Sequence, residues 1–482
     1  MVRCVALLSA CAAFVGVGAT VATARPTILS ATTPTTPPLR TAIFDDQVFQ
    51  GPGQSAAFAT ASHVGATYVR LDTGWGSVAP PVLPHAWTLS GQSDPASPYY
   101  GWDALDATVA AAQANGIQPI LDIVGTPSWA YHVAPGVRAG GRPTGGQPDI
   151  NELGAFATAL ARRYPTVHAF SVYNEPNLSK NFYPQDPTYY RSMVNAVAEA
   201  VHGVNPANLV LAGELAPFKH PNTKAGPNNV IAPIAWMQQM LCISNTVPAH
   251  RTCNTQAKFD IWTHHPYSDT GPFGHAVTNG GVELGDLPKM TALLKTAWQL
   301  GAIATESGTP PKFWVTEIGW SSNPPNKHGV PIWLETRWVG ESFYQLWRSG
   351  ATLGTWLLLR DRPRTTTFQS GLYFSSAQPK PLLAPFRFPF VAYLKTGGNV
   401  FLWGRDATSN TQTVTIQMKI SSTWKTVATI TSNSYGIFQA TLPLKAKAAY
   451  MMRASAGGFN SAPFSLTVPA NENMHVVPFP LN

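Results

Sequence analysis

Charged side chains are scarce in this sequence. Asp, Glu, Lys and Arg make up 12% of the 482 residues, whereas hydrophobic residues make up 44% and aromatic residues 11%. This composition excludes an intrinsically disordered chain, which would be rich in charged residues and poor in apolar ones. Because the chain is longer than one ordinary domain, we expect a large folded unit together with a smaller one.

Runs of basic residues are absent as well. The formal net charge is +8, but the 32 Lys and Arg residues are scattered along the chain. Proteins that bind a nucleic-acid backbone concentrate such residues in a patch or a stripe. The sequence therefore argues against a nucleic-acid partner, and the positive excess would instead favour anionic surfaces or acidic glycans.

Long apolar stretches are missing except at the N-terminus. A basic residue precedes an apolar run over residues 4–21, and the small residues Ala22-Thr23-Ala24 follow it. This is the pattern of a secretory signal peptide, so we predict a signal peptide over residues 1–24 and a secreted or cell-surface protein. A lipidated Cys11 and a retained N-terminal anchor are the alternatives; no later stretch is apolar enough to span a bilayer.

Cysteine is rare too, with two residues inside the predicted signal peptide and two outside it. In an exported protein the outer pair, Cys242 and Cys253, most simply forms a disulfide that closes a short loop. Two buried free thiols are the alternative. No His or Cys cluster has the spacing of metal ligands, so we predict neither a metal nor another cofactor.

Strand-like and helix-like segments alternate regularly after a Pro-rich and Thr-rich stretch, which we predict as a linker over residues 25–40. Eight strand-like segments begin at Thr41, Thr67, Gln118, His168, Leu209, Phe259, Lys312 and Leu353. Eight repeated β-then-α units predict a closed (β/α)₈ TIM barrel, over residues 41–396. An open doubly wound sheet is the alternative, but no glycine-rich phosphate loop follows the first strand.

The pattern changes near residue 397. Short β-like runs such as "TVTIQMKI" and "WKTVATITS" are separated by turn residues, and no helical period is present. Strands at this spacing predict a small all-β, Ig-like sandwich over residues 397–482.

Two glutamates stand at the carboxyl ends of predicted barrel strands, where a TIM barrel carries its active site. Glu175 ends the fourth strand and Glu317, in "WVTEIGW", ends the seventh. Glycoside hydrolysis needs two such carboxyl groups: a protonated acid for the leaving oxygen, and an ionised partner for the positive charge at the anomeric carbon. We predict that Glu175 carries the proton and that Glu317 is ionised.

The segment Asn174-Glu175-Pro176 resembles the fourth-strand motif of clan A retaining glycoside hydrolases. The longer match "NEPNL", followed by Phe182, is most similar to glycoside hydrolase family 39 and its relatives that act on exopolysaccharides, although Tyr173 stands where Trp is usual. The resemblance covers about residues 41–396. It implies that Asn174 binds the sugar 2-hydroxyl, that Glu175 is the acid/base and that Glu317 is the nucleophile.

The resemblance implies further roles on the same rim. Arg70 would keep the nucleophile ionised, and His265 and Tyr267 would contact the nucleophile and the bound sugar. Two tryptophans would bind the sugar ring, Trp356 as a floor and Trp129 as a wall. Each of these residues could instead belong to the packed core. Other acids near strand ends are predicted to support the site or the fold, namely Asp72, Asp122, Glu214 and Asp361.

Taken with the predicted signal peptide, the resemblance implies a secreted retaining glycosidase that cleaves a poly- or oligosaccharide by double displacement. A transglycosylase that uses the same residues is one alternative, and a non-catalytic carbohydrate-binding surface protein is another. The sandwich could bind glycan or act as a spacer. The sugar, the linkage, internal or terminal cleavage and the oligomeric state are left open by the sequence.

Overall fold

The computed structural model describes residues 28–32, 36–138, 142–217, 230–363 and 368–467. The predicted signal peptide, residues 1–24, lies outside these ranges. Within them, no helix combines the length and the apolar character that a membrane span requires.

Eight parallel strands form a closed barrel. They are called barrel strands 1 to 8 below and comprise Arg40–Phe44, Tyr68–Gly74, Gln118–Val124, Ala169–Val172, Leu209–Leu215, Ile261–His264, Lys312–Ile318 and Leu353–Leu357. Strand 8 closes the barrel by pairing with strand 1, from Leu353 opposite Arg40 to Leu357 opposite Phe44. Each strand coincides with a predicted one, so the prediction of a TIM barrel is confirmed.

Helices connect the strands and cover the outside of the barrel. In Ile150–Arg163, residues three and four positions apart are buried and face the sheet, and the Asp149 side chain accepts hydrogen bonds from the first backbone N–H groups. The other helices of eight or more residues are Gln54–His63, Asp103–Ala114, Pro187–Val204, Pro233–Met240, Leu287–Gln299 and Ile332–Arg348.

An apolar layer fills the lower part of the barrel interior. It consists of Ala42, Ile120, Ala169, Leu211, Ile261, Trp314 and Leu353. Alternate residues of a strand point to the same face, so the residues two positions further along point inward above this layer. Several of them are polar, among them Asp122 and Ser171, and the barrel therefore carries buried polar groups just below its carboxyl-end opening.

The chain beyond the barrel forms two β-sheets, which confirms the predicted C-terminal all-β unit. One sheet contains Phe390–Leu394, Val400–Arg405 and Ile437–Leu442. The other contains Leu29–Thr32, Thr413–Ile420, Thr423–Thr431, Met451–Ala456, Phe459–Asn460 and Phe464–Ser465.

Two of these strands come from outside the range 397–482. Phe390–Leu394 lies in the part of the sequence predicted as barrel, and Leu29–Thr32 lies in the part predicted as linker. Leu29–Thr32 runs parallel to Thr423–Thr431, with Leu29 opposite Ala428. A strand of four residues whose partner lies almost 400 positions away leaves no local signal in the sequence.

A disulfide joins Cys242 to Cys253, with their Cα atoms 5.4 Å apart. It closes the loop that follows the helix Pro233–Met240. The predicted pairing of these two cysteines is therefore confirmed.

Candidate active site

Glu175 and Glu317 meet at the carboxyl-end opening of the barrel, on either side of the His265 ring. Glu175 follows barrel strand 4, and Glu317 is the second-last residue of barrel strand 7. His265 Nδ1 lies 3.3 Å from Glu175 Oε1, and His265 Nε2 lies 3.8 Å from Glu317 Oε1. Two strand ends that are 142 positions apart in the sequence (317 − 175) thus present their carboxyl groups to one imidazole.

The backbone leaves its strand conformation where the acids stand. The φ angle is 65° at Tyr173, 45° at Glu175 and 49° at Glu214, a left-handed region that residues other than glycine rarely adopt. The Glu175 N–H donates to the Glu214 carbonyl at 3.0 Å, which ties the two strand ends together. Such conformations cost about 1 to 3 kcal/mol each and cluster at functional sites.

Arg70 lies at the centre of the charged groups and is fully buried on barrel strand 2. Its Nη1 lies 2.5 Å from Glu317 Oε1, and its Nη2 lies 2.5 Å from Asp122 Oδ2 and 3.1 Å from Asn174 Oδ1. Burial alone would lower the pKa of Arg70, but the surrounding carboxylates, Asp122 foremost, raise it well above its ordinary value. The guanidinium is therefore permanently charged.

Tyr267 completes the surroundings of Glu317. Its hydroxyl donates to Glu317 Oε2 at 2.7 Å, while Arg70 occupies the other carboxylate oxygen. Burial and then the Glu317 charge raise the pKa of Tyr267 well above its ordinary value. Tyr267 consequently keeps its proton and stays a hydrogen-bond donor to Glu317.

Glu214, which we predicted only to support the site or the fold, is a central member of the site. It is fully buried on barrel strand 5. Ser171 Oγ donates to its Oε1 at 2.9 Å, and Thr316 Oγ1 donates to its Oε2 at 2.8 Å. His265 Nε2 lies 2.7 Å from the same Oε2, and Arg70 Nε lies 3.7 Å from it.

The surroundings of Glu214 favour its ionised form. Burial raises the pKa of Glu214, but the charge of Arg70 and the hydrogen bond from His265 outweigh burial and bring the pKa to about 2. The one hint in the sequence is an acid inside the apolar run "LVLAGELAP".

The two carboxyl groups that contact His265 favour a protonated ring in the free protein. Burial lowers the pKa of His265, but the charge of Glu317 and the hydrogen bonds with Glu175 and Glu214 raise it to about 10. Burial likewise raises the pKa of Glu175, but the hydrogen bond and charge of His265 bring it below its usual value. This differs from our expectation that Glu175 carries the proton, because the sequence does not reveal that an imidazole contacts it.

Trp129 lies beside the opening, directly after barrel strand 3. Its side chain is half-buried, and its Nε1 donates to the Pro80 carbonyl at 2.9 Å. The ring packs edge-on against Trp75 and Trp87, with centroid distances of 5.9 and 5.8 Å. The indole is therefore held rigidly while part of its surface faces solvent.

Trp356 is not brought to the carboxylates. Leu353 belongs to the inner layer of the barrel, so by strand alternation Leu357 points inward and Trp356 points outward. Trp356 is fully buried, donates from Nε1 to the Ser370 carbonyl at 2.7 Å and lies 6.2 Å from Trp320 between ring centroids. Its expected place as a floor for the sugar ring is corrected to a place in the core outside the barrel.

In the part of the chain that the structure describes, no group of three or more His, Cys, Asp or Glu side chains could hold a metal ion. The acids of the site are instead paired with Arg70 and His265.

The family comparison identifies the chain. The model of the cellulase family, glycosyl hydrolase family 5, matches residues 32–336, more than half of the 482 residues. No curated protein matches the sequence.

The solved structures that are similar to this chain have low sequence identity to it. A family 39 glycoside hydrolase from Bacteroides cellulosilyticus WH2 is 16% identical, with 85% of this chain and 82% of that chain covered and a TM-score of 0.50. A monomeric beta-xylosidase from Caulobacter crescentus CB15 is 14% identical, with 86% and 97% covered and a TM-score of 0.49. The predicted resemblance to clan A is confirmed, and the matching model is that of family 5 rather than family 39. The chain belongs to the cellulase family, glycosyl hydrolase family 5, of the clan A retaining glycoside hydrolases, and it is a glycosidase.

Proposed function

We propose that the protein hydrolyses O-glycosidic bonds of a poly- or oligosaccharide by double displacement, with Glu317 as the nucleophile and Glu175 as the acid/base. The observation that carries this proposal is the contact of both carboxyl groups with the single ring of His265, at 3.3 and 3.8 Å. A retaining mechanism needs carboxyl groups about 5 to 5.5 Å apart, because one of them must attack the sugar directly. Contact of both carboxyl groups with one imidazole supports two acids that can act on the same glycosidic bond.

In the first step, Glu317 attacks the anomeric carbon while Glu175 gives a proton to the departing oxygen. The nucleophile must be ionised and oriented, and the contacts of Arg70 and Tyr267 with its two oxygens support both requirements. Bond formation removes the negative charge of Glu317. Of the two carboxylates closest to the Arg70 guanidinium, only Asp122 then remains charged.

In the second step, water attacks the anomeric carbon of the glycosyl-enzyme, and Glu175 accepts a proton from that water. The leaving group is now the Glu317 carboxylate. Arg70 and Tyr267 stabilise it as its charge returns, since they already contact both of its oxygens in the free protein.

Sugar recognition in this proposal rests on Asn174 and Trp129. Asn174 precedes the acid/base in the chain and is fixed by Arg70 at 3.1 Å, which suits an amide that binds the 2-hydroxyl of the reacting sugar. Trp129 offers a rigid, partly exposed ring against which a sugar can stack.

Export is the remaining part of the proposal. The signal-peptide pattern of residues 1–24 supports secretion, and the disulfide between Cys242 and Cys253 suits an oxidising compartment. Because the matching family is named cellulase, β-1,4-glucans are among the substrates to be tested.

The proposal is tested by incubating protein that lacks residues 1–24 with a panel of β-glucans, exopolysaccharides and aryl glycosides, with Glu317→Gln as the control. We expect sugar release by the wild type and none by the variant. Release that depends on an added glycan acceptor would establish the transglycosylase alternative. Binding without turnover of any panel member, unchanged in the variant, would establish the carbohydrate-binding alternative.

A further inference from the structure

His265 is clamped between two carboxyl groups, one at each ring nitrogen. Its Nδ1 lies 3.3 Å from Glu175 Oε1, and its Nε2 lies 2.7 Å from Glu214 Oε2. The ring is fully buried, so each nitrogen must be satisfied by these protein groups. Every change of charge on the ring is therefore felt by the acid/base.

This geometry permits two good arrangements of the protons. In one, the ring carries protons on both nitrogens and both carboxyl groups are ionised. In the other, the ring keeps only its Nε2 proton, and a protonated Glu175 donates to Nδ1. A neutral ring beside an ionised Glu175 would place a lone pair against a carboxylate oxygen, which is repulsive. The two good arrangements differ by the transfer of one proton between His265 Nδ1 and Glu175 Oε1.

Glu214 is built to stay ionised through such a transfer. Ser171 Oγ and Thr316 Oγ1 both donate to it, at 2.9 and 2.8 Å, and the Arg70 guanidinium lies 3.7 Å away. Donors on both oxygens favour the charged carboxylate. Glu214 therefore always accepts from Nε2, which leaves Nδ1 as the one ring position whose proton can leave.

We propose that Glu214 is a positioning residue that holds His265 in its protonated form. His265 then supplies Glu175 with the proton that Glu175 gives to the leaving oxygen. This inference rests on the proposed acid/base role of Glu175. It accounts for an acid/base that is ionised in the free protein, and the pKa of about 10 of His265 agrees with it.

The proton balance closes over one catalytic cycle. The proton moves from His265 Nδ1 to Glu175 Oε1 when substrate displaces water from the site, and then to the leaving oxygen as the glycosidic bond breaks. This leaves an ionised Glu175 beside the neutral ring, and their repulsion makes Glu175 a stronger base for the second step. In the second step the attacking water gives a proton to Glu175, and this proton returns to Nδ1. No other acid, base or cofactor is required, and Glu214 exchanges no proton.

Other charged and titratable groups lie around His265 and Glu175, and they contribute to the electrostatic potential at these two residues. His264 is neutral, since burial lowers its pKa to about 3. Arg70 and Lys180 add positive charge, and Glu317 adds negative charge 3.8 Å from Nε2. Asp72 and Asp122 contact Arg70, and Tyr267 contacts Glu317, so these three groups act on the pair through those neighbours. Among the residues that the structure describes, only Glu214 accepts a short hydrogen bond from Nε2, so it is the residue to change.

The test is the Glu214→Gln variant of the whole protein, measured as kcat/KM against pH on two substrates. One is the glycan that the wild type cleaves, whose leaving group needs a proton; the other is a dinitrophenyl glycoside, whose leaving group needs none. With the glycan we expect the alkaline limb to move to lower pH by about one to three units, the range for loss of one close charge. With the dinitrophenyl glycoside we expect no such shift.

A purely structural role for Glu214 predicts a different result. Both substrates would lose activity in parallel, and the alkaline limb would stay in place; that outcome overturns the proposal. Glu341→Gln is the matched control, because it removes a buried carboxylate that pairs with Arg337 on a helix. It should leave both pH profiles unchanged.

Milder variants keep the test valid if Glu214→Gln does not fold. Thr316→Val and Ser171→Ala each remove one donor to Glu214. Because Glu214 then keeps its charge and accepts more strongly from Nε2, each variant should move the alkaline limb to higher pH by a fraction of a unit. An unmoved limb in both folded variants would contradict the proposal.

A spectroscopic measurement needs no turnover, so it separates failure of this inference from failure of the proposed function. In protein with ¹⁵N-labelled histidine at pH 8, ordinary histidines with a pKa near 6.5 are neutral. His265 should then give an imidazolium signal that is lost in His265→Gln. We expect the pH at which this signal disappears to fall by about one to three units in Glu214→Gln. An unchanged midpoint in that variant would overturn the proposal, whether or not the protein hydrolyses any glycan.

Discussion

Arg70 Nη1 lies 2.5 Å from Glu317 Oε1, and the arginine that makes this contact is fully buried. The same guanidinium also holds Asp122 and Asn174, so one side chain fixes the nucleophile, a buried acid and the amide next to the acid/base. The planar fork of arginine makes these contacts at the same time, which a lysine cannot do.

Arg70→Lys should therefore keep the charge and lose the geometry. We expect kcat/KM to fall about 10²-fold or more, the usual cost of losing one positioned donor. Steady-state kinetics measures the effect, and a thermal melt verifies folding. Arg163→Lys, which alters an ion pair at the surface with Asp106, is the control with unchanged activity. Activity of Arg70→Lys within a few-fold of wild type would show that Arg70 does not orient the nucleophile.

Glu175→Gln separates the acid step from nucleophilic attack. With the natural glycan we expect a loss of about 10²- to 10⁴-fold, the contribution of general acid–base catalysis. With an activated aryl glycoside, glycosyl-enzyme formation should be far less affected, because the leaving group departs without a proton. A stopped-flow burst of the released phenol measures this step. Equal losses on both substrates would argue against Glu175 as the acid.

The two predicted sugar-binding tryptophans should behave differently. Trp129 is partly exposed beside the opening, so Trp129→Ala should raise KM up to about tenfold while kcat changes less. Trp356 is buried outside the barrel, so Trp356→Phe should leave KM unchanged and lower the free energy of unfolding by about 1 to 3 kcal/mol. Kinetics and urea denaturation of both variants test the contrast. A raised KM in Trp356→Phe would contradict the outward placement of its ring.

Glu335 predicts a pH dependence of stability. It is fully buried on the helix Ile332–Arg348, and burial is the main reason that its pKa rises from 4.5 to about 8. The folded state thus holds this proton more tightly than the unfolded state. The stabilisation is complete below pH 4.5 and is lost as the pH rises to 8, with a slope of about 1.4 kcal/mol per pH unit in between.

Urea denaturation between pH 5 and pH 8 measures this slope. Glu335→Gln should flatten the decline, because an amide cannot ionise. Glu199→Gln, which changes an exposed acid paired with Lys258, is the matched control and should leave the wild-type slope in place. An equally steep decline in Glu335→Gln would assign the effect to other groups.

The barrel could be predicted because each of its strands carries its own signal. The eight segments are short, apolar and separated by helical periods, and the carboxyl end of each is visible in the sequence. Glu175 and Glu317 follow directly from those strand ends, whereas Arg70 is the third residue of barrel strand 2 and its role was implied by the family resemblance. The strand Leu29–Thr32 could not be predicted, since its pairing with Thr423–Thr431 is wholly non-local.

The face of Trp356 could not be predicted either. The segment "LGTWLLLRD" is apolar on both sides, so it gives no alternation from which to decide which residues point inward. The role of Glu214 was hidden for a related reason. Its importance lies in its contacts with Ser171, Thr316 and His265, which come from three other strand ends, and a single sequence does not show such convergence.

The central claim, a covalent intermediate on Glu317, is tested most directly by trapping it. The protein is incubated with the 2-deoxy-2-fluoro analogue of the aryl glycoside that the panel shows to be cleaved, and the labelled peptide is identified by mass spectrometry. We predict one fluorosugar per protein molecule on the peptide that contains Glu317, and no label in Glu317→Gln. A label on any other residue, or cleavage with inversion of the anomeric configuration, would contradict the account.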